Sequence, residues 1–159
     1  GEVFTALQTG AIDATEWIGP YNDLALGLHK ASKYYYTPGW QEPNVTFELD
    51  VNLKAWETLP DDLKAIVRAA ARDVNGDMLD DYNAKNMEAL EQLREQGVEV
   101  RRLPDEVLAR LKEVAAEVVD ASAKADPVAA KVWEQQSAYL KRLYEYAELN
   151  EKDIYNIRG

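Results

Sequence analysis

Two short segments near the start of the chain set glutamate beside tryptophan. The first is Asp13-Ala-Thr-Glu16-Trp17-Ile-Gly19-Pro20-Tyr21-Asn22 and the second is Gly39-Trp40-Gln41-Glu42-Pro43. Each joins a strand end to a turn, where carboxylates and free main-chain carbonyls can converge. Glu16 and Glu42 with a backbone carbonyl are hard oxygen donors, suited to sodium or calcium. The rings of Trp17, Tyr21 and Trp40 can wall a small organic ligand. A plainer reading stays open beside this one: Trp17 and Trp40 are core anchors and the glutamates are solvated.

Other chemistries are poorly provided for. Cysteine is absent and His29 is the single histidine, which excludes disulfides, thiolate sites and a multi-histidine zinc site within one chain. His29 follows Leu28 near Lys30 and Lys33 and reads as a partly exposed helix-end residue. Ser32, Ser122 and Ser137 lie outside any Gly-x-Ser-x-Gly elbow. Asp73-Val-Asn75-Gly-Asp77 begins like a calcium loop, but Met78 stands where glycine is required and Ala84 where glutamate is. Asp77, Asp80 and Asp81 read instead as a solvated helix face. Asn44-Val45-Thr46 matches a glycosylation acceptor, a pattern short enough to arise by chance. No glycine-rich phosphate loop is present. With 18 basic and 29 acidic side chains the formal charge is −11, which argues against a nucleic-acid partner. No pair of groups offers a nucleophile and base, so the chain is not expected to be an enzyme.

The elements that must position the two segments are legible from pattern. Eight of the fifteen aromatics precede residue 51, in a glycine- and proline-rich stretch suited to loops and short strands. The remainder is rich in Ala, Glu, Leu, Lys and Arg, which favour helix. Glu2 to Thr9 reads as a short helix stopped by Gly10, and Ala11 to Trp17 as an extended piece. Pro20 opens a helix running to Ser32, with Leu24, Leu28 and Ala31 aligned. Lys33 to Thr37 reads as a strand and Pro38-Gly39 as a turn. Val45 to Asn52 alternates apolar and polar, the period of a half-buried strand. Leu59-Pro60-Asp61-Asp62 and Leu103-Pro104-Asp105-Glu106 share one helix-start chemistry. The first of these helices runs to Gln96, with Gly76 a candidate bend, and Gly97 ends it. Val98 to Val100 follows as a short strand. Asp105 to Lys124 is a helix expected to be buried through Leu108, Leu111, Val114, Ala115 and Val118. Asp126 caps a last long helix to Glu148, and Asn150 a short turn around Asp153 to Ile157. That long helix carries two apolar stripes, Val132, Tyr139, Leu143, Tyr146 and Trp133, Leu140, Tyr144, Ala147. Together they are wider than one neighbour needs, which points to a second surface. A chain of 159 residues is long enough to bury a sizeable core. No apolar run approaches a membrane span, and Gly1-Glu2-Val3-Phe4 does not read as a signal peptide.

The run from Glu2 to Trp17 resembles the signature of the DctP-type solute-binding proteins of tripartite ATP-independent periplasmic (TRAP) transporters. Gly19-Pro20-Tyr21-Asn22-Asp23, Tyr34-Tyr35-Tyr36 and Gly39-Trp40-Gln41-Glu42-Pro43 are similar to the subgroup that binds 2-oxo acids or lactate. Val51 to Trp56 followed by Leu59-Pro60 is also family-like. The resemblance covers nearly the whole chain but only the second half of a typical two-lobed member.

That resemblance implies an α/β, helix-rich fold: the C-terminal part of a two-lobed periplasmic-binding-protein-like architecture. It divides as 1–58 with the site loops, 59–125 with a long helix, strand and helix, and 126–159 with a dimerisation helix and tail. It implies a cation, sodium or calcium, held by the main-chain carbonyl at Trp17 and the carboxylate of Glu42. In the family a glutamine from the first half completes these ligands, and an arginine there pairs with the substrate. Neither has a counterpart here, since the arginines of this chain begin at Arg68. Glu16, Tyr21 and Trp40 would line the ligand. The partners implied are a small organic acid anion, TRAP membrane subunits if a first half is present, and a second copy of the chain. The implied compartment is the periplasm. The expectation is therefore a partial solute-binding component for small monocarboxylates, with a stand-alone helical oligomerisation module as the alternative.

Overall fold

The computed structural model describes residues 2–44 and 47–158. It divides into two compact units, Gly1–Leu103 and Pro104–Gly159. The fold is helix-rich, as expected.

In the first unit, α1 (Val3–Thr9) ends at Gly10, whose φ of 73° lets its N–H reach back to the Ala6 and Leu7 carbonyls. An irregular stretch carries the chain to α2 (Pro20–Ala25), with Pro20 in the first turn. The expected helix to Ser32 is broken. Gly27 turns left-handed at φ 72°, and a single 3-10 turn, Leu28–Lys30, follows. The Leu24, Leu28, Ala31 spacing survives such a break, so periodicity alone did not reveal it. Strand β1 (Tyr34–Thr37) pairs in parallel with β2 (Glu99–Arg102), Tyr34 opposite Glu99 and Tyr36 opposite Arg101. Between them lie α3 (Leu53–Thr58) and the 35-residue α4 (Asp61–Glu95), unbroken through Gly76. Sequence reading did not separate α3. Its start signal is Asn52, whose side chain accepts from the Ala55 N–H at 3.2 Å. Gly97 closes α4 at φ 86°.

The core of this unit is small: Leu28, Ala89, Leu93 and Val98 are buried. The N-terminal part of α4 leaves Leu63, Ile66 and Val74 exposed. A sizeable core is therefore not what the described residues build.

The expected strand over Val45–Asn52 is corrected. Val45 and Thr46 lie outside the described residues, and 47–52 are irregular, with Phe47, Leu49 and Val51 exposed. An alternating pattern becomes a strand only when a neighbour supplies the hydrogen-bond ladder. None does so among the described residues.

The second unit holds α5 (Asp105–Ala125), α6 (Pro127–Leu149) and α7 (Glu151–Arg158). Asp126 caps α6 as expected, its Oδ1 accepting from the Val128 and Ala129 N–H groups, both at 2.8 Å. The expected burial of α5 is corrected: Leu108 and Leu111 are partly covered, while Val114, Ala115 and Val118 are exposed. One neighbouring helix covers only one stripe, and α5 is apolar over more than that. On α6, Trp133, Leu140 and Ala147 are partly covered, whereas Val132, Tyr139, Leu143 and Tyr146 stay open. Among the described residues no helix is long and apolar enough to cross a membrane.

Candidate functional site

The two glutamate–tryptophan segments are neighbours in the first unit. Gln41 Nε2 donates to Glu16 Oε2 at 3.5 Å, a long bond that links the loop before α2 to the loop after β1. Trp17 and Trp40 are each about half exposed, at 50% and 47%, so neither is a core anchor. Glu16 and Glu42 are exposed. Gly39 and Glu42 are close in this turn: a Cβ on Gly39 would make ordinary van der Waals contact with the Glu42 carbonyl oxygen at 3.8 Å.

Tyr21 faces α4. Its ring meets Tyr82 edge-on at 6.0 Å, and the Lys85 ammonium sits 5.1 Å from its centroid. It lines a shallow groove with Leu24, Lys85 and Ala89. Asp81 accepts from Lys85 at 2.7 Å, which holds that ammonium above the ordinary lysine range. Asp73, Asp77 and Asp80 lie on the exposed surface of α4 and form no loop.

Three residues that sequence reasoning missed hold the Glu16–Tyr21 segment in place. Asp23 is buried at 8% exposure. Its Oδ1 accepts from the Ile18 N–H at 3.3 Å and its Oδ2 from the Tyr35 hydroxyl at 2.6 Å. Burial, then the Asp23 hydrogen bond, push the Tyr35 phenol well above its usual range. From α4, Asn86 Oδ1 accepts from the Tyr21 N–H at 3.0 Å. A Cβ on Gly19 would lie 3.3 Å from that same oxygen, which favours glycine there. These partners are 12 and 65 residues apart in sequence, so no local pattern could have found them.

His29 is a helix-end residue of intermediate exposure, yet both its ring nitrogens are buried and lack a partner among the described residues. On one face of the two-stranded sheet, Arg101 lies 3.7 Å over the Tyr34 ring and donates to Glu99 at 2.6 Å. Lys33 pairs with Glu99 at 3.1 Å. The Arg101 hydrogen bond, then that of Lys33, hold the Glu99 carboxyl below the ordinary range.

The donors in the site loops are oxygens: the exposed carboxylates of Glu16 and Glu42 and the main-chain carbonyls around Trp17. Oxygen donors fit a hard cation. No cluster of three or more His, Asp or Glu side chains gathers among the described residues.

Comparison with known proteins gives a consistent picture. The DctP family, bacterial extracellular solute-binding protein family 7, matches residues 1–126. A monocarboxylate 2-oxoacid-binding periplasmic protein of Nostoc sp. is 38% identical over 156 residues, 98% of this chain and 43% of its own length. A TRAP transporter solute-binding protein from Bordetella bronchiseptica is 31% identical with a TM-score of 0.90, over 99% of this chain and 47% of that one. It is a mixed-occupancy dimer with copurified calcium and picolinate in the bound active site. A TRAP periplasmic solute-binding protein from Colwellia psychrerythraea, with calcium and pyruvate bound, is 31% identical with a TM-score of 0.92, over 98% of this chain and 48% of that one. The chain thus spans about half the length of the relatives it matches.

Proposed function

This chain belongs to the DctP family of bacterial extracellular solute-binding proteins, and on that premise we propose that it is a partial solute-binding component of a periplasmic TRAP transporter. It contributes to capture of a small monocarboxylate, such as a 2-oxo acid or lactate, through a bound cation, and is not a catalyst. Calcium is preferred over sodium because calcium is bound in two relatives of the same fold. The Trp17 carbonyl and the Glu42 carboxylate hold the ion, with Glu16, Tyr21 and Trp40 beside the ligand. The observation that carries this reading is the Glu16–Gln41 bond, which joins the two loops that bear these donors.

The chemistry is electrostatic. A chain of net charge −11 repels an organic anion, and a cation between protein carboxylate and ligand carboxylate offsets that repulsion. Calcium takes roughly six to eight oxygens, so ligand, water and donors beyond these two complete the shell. In the relatives' longer chains a further portion of protein is available for that. TRAP membrane subunits are the partners of the assembled protein.

Calorimetry tests the reading. Pyruvate titrated into the chain with calcium present should give heat, and should give none after chelation. Glu42→Gln should abolish the calcium-dependent part. Heat that persists unchanged after chelation would overturn the cation-mediated site. A second reading, a helical association module without ligand binding, is favoured by the open Val132, Tyr139, Leu143, Tyr146 stripe of α6. No pyruvate heat together with a stable dimer in ultracentrifugation would select it.

A further inference from the structure

We infer that Asp23 is a positioning residue that sets the direction of the Trp17 carbonyl toward the cation, an inference that rests on the site reading above. The Trp17 carbonyl and the Ile18 N–H belong to one peptide unit. That unit is planar, and it is trans, since the only cis peptide bond among the described residues is Thr37–Pro38. In a trans peptide the N–H and the C=O point in opposite directions. A group that fixes the Ile18 N–H therefore also fixes the Trp17 oxygen.

Asp23 Oδ1 is that group, accepting from Ile18 at 3.3 Å. The carboxylate is not free to swing. It is buried, and its other oxygen takes the Tyr35 hydroxyl at 2.6 Å. Tyr35 lies in β1, which is laddered to β2, so the clamp is referred to the sheet. A second anchor acts three residues along, where Asn86 on α4 takes the Tyr21 N–H at 3.0 Å. The loop is thus tethered through its main chain while the Trp17 side chain stays half exposed. That arrangement suits a segment whose backbone oxygen is the working group.

The logic parallels outer-shell carboxylates that orient and tune metal-bound histidines.

Terbium stands in for calcium as the probe, with luminescence sensitised by tryptophan, read on the full chain beside amide exchange of Ile18 by NMR. Outer-shell losses of this kind run to about 10–100-fold, so Asp23→Ala should weaken terbium binding at least ~tenfold and speed Ile18 exchange. Asp23→Asn keeps an oxygen acceptor for the Ile18 N–H and should recover to within about threefold of wild type, well inside that outer-shell loss. Tyr35→Phe should lower stability more than affinity. Wild-type affinity in Asp23→Ala, with Glu42→Gln weakened, overturns the positioning role and leaves the cation site standing. Loss in Asp23→Asn as large as in Asp23→Ala overturns it too, and decides the matter if Asp23→Ala fails to fold. If wild type binds no terbium, or Glu42→Gln binds as wild type does, the cation reading falls and the inference falls with it.

Discussion

The Tyr35 hydroxyl donates to Asp23 Oδ2 at 2.6 Å and so pins β1 to α2. The acceptor is a buried carboxylate, and hydrogen bonds to charged groups contribute about 1.5–3 kcal/mol. Tyr35 is only partly covered, which places its share at the lower end of that range. Tyr35→Phe should therefore cost ~1.5 kcal/mol in urea unfolding, with the slope unchanged. A variant as stable as wild type would show that the bond is exchanged for water at no cost.

The same pair sets an alkaline limit on stability. Burial first, and then the bond to Asp23, raise the Tyr35 phenol above its ordinary value of 10.0. The neutral phenol is thus favoured in the folded state. Its contribution is fully present below the unfolded-state pKa of about 10 and is lost as pH rises through the folded value. Unfolding free energy measured across that window should decline more steeply in wild type than in Tyr35→Phe. Parallel profiles would exclude Tyr35 as the source.

How much of this could be read from sequence depended on range. Gly10 and Gly97 marked helix ends, and Pro20 and Asp126 marked helix starts, because each acts on its own backbone. The α/β, helix-rich fold class came from the family resemblance, whereas the two glutamate–tryptophan loops were legible from their own residues. The break at Gly27 was not, since Leu24 and Leu28 keep helical spacing across it. The alternation through Phe47, Leu49 and Val51 was real, but a strand is a relation between two segments and one sequence shows only one of them. Burial of Val114 and Val118 failed likewise, because pattern reports what a helix can bury and not whether a neighbour arrives. Asp23, Tyr35 and Asn86 were unreadable as a group for want of any local signal joining them.

Two glycines should respond in opposite directions to alanine. Gly97 sits at φ 86°, with nothing within 4 Å of a Cβ placed there, so any penalty is conformational. Gly97→Ala should cost ~1 kcal/mol, the strain of an L-residue in the left-handed region. Gly76 lies inside α4, again with open space around a Cβ. Gly76→Ala should gain about 0.8–1 kcal/mol from helix propensity. Thermal melts read both, and a matched loss in the two variants would contradict the unbroken helix at Gly76.

The open stripe of α6 makes the last prediction. Trp133, Leu140 and Ala147 already have cover, so Val132, Tyr139, Leu143 and Tyr146 are surplus to the packing of the second unit. The occupant proposed for them is the same stripe of a second copy, because a twofold pairing matches apolar to apolar without new chemistry. Sedimentation velocity should show a weight that rises with concentration. Tyr139→Glu with Leu143→Glu removes two side chains from each copy, four per pair, worth ~1.5 kcal/mol each on burial, so association should weaken on the order of ten-thousandfold. Helix content should not change, since both positions face solvent within one copy. A wild-type chain that stays monomeric at every concentration, or a double variant that pairs as wild type does, would assign the stripe to a different partner.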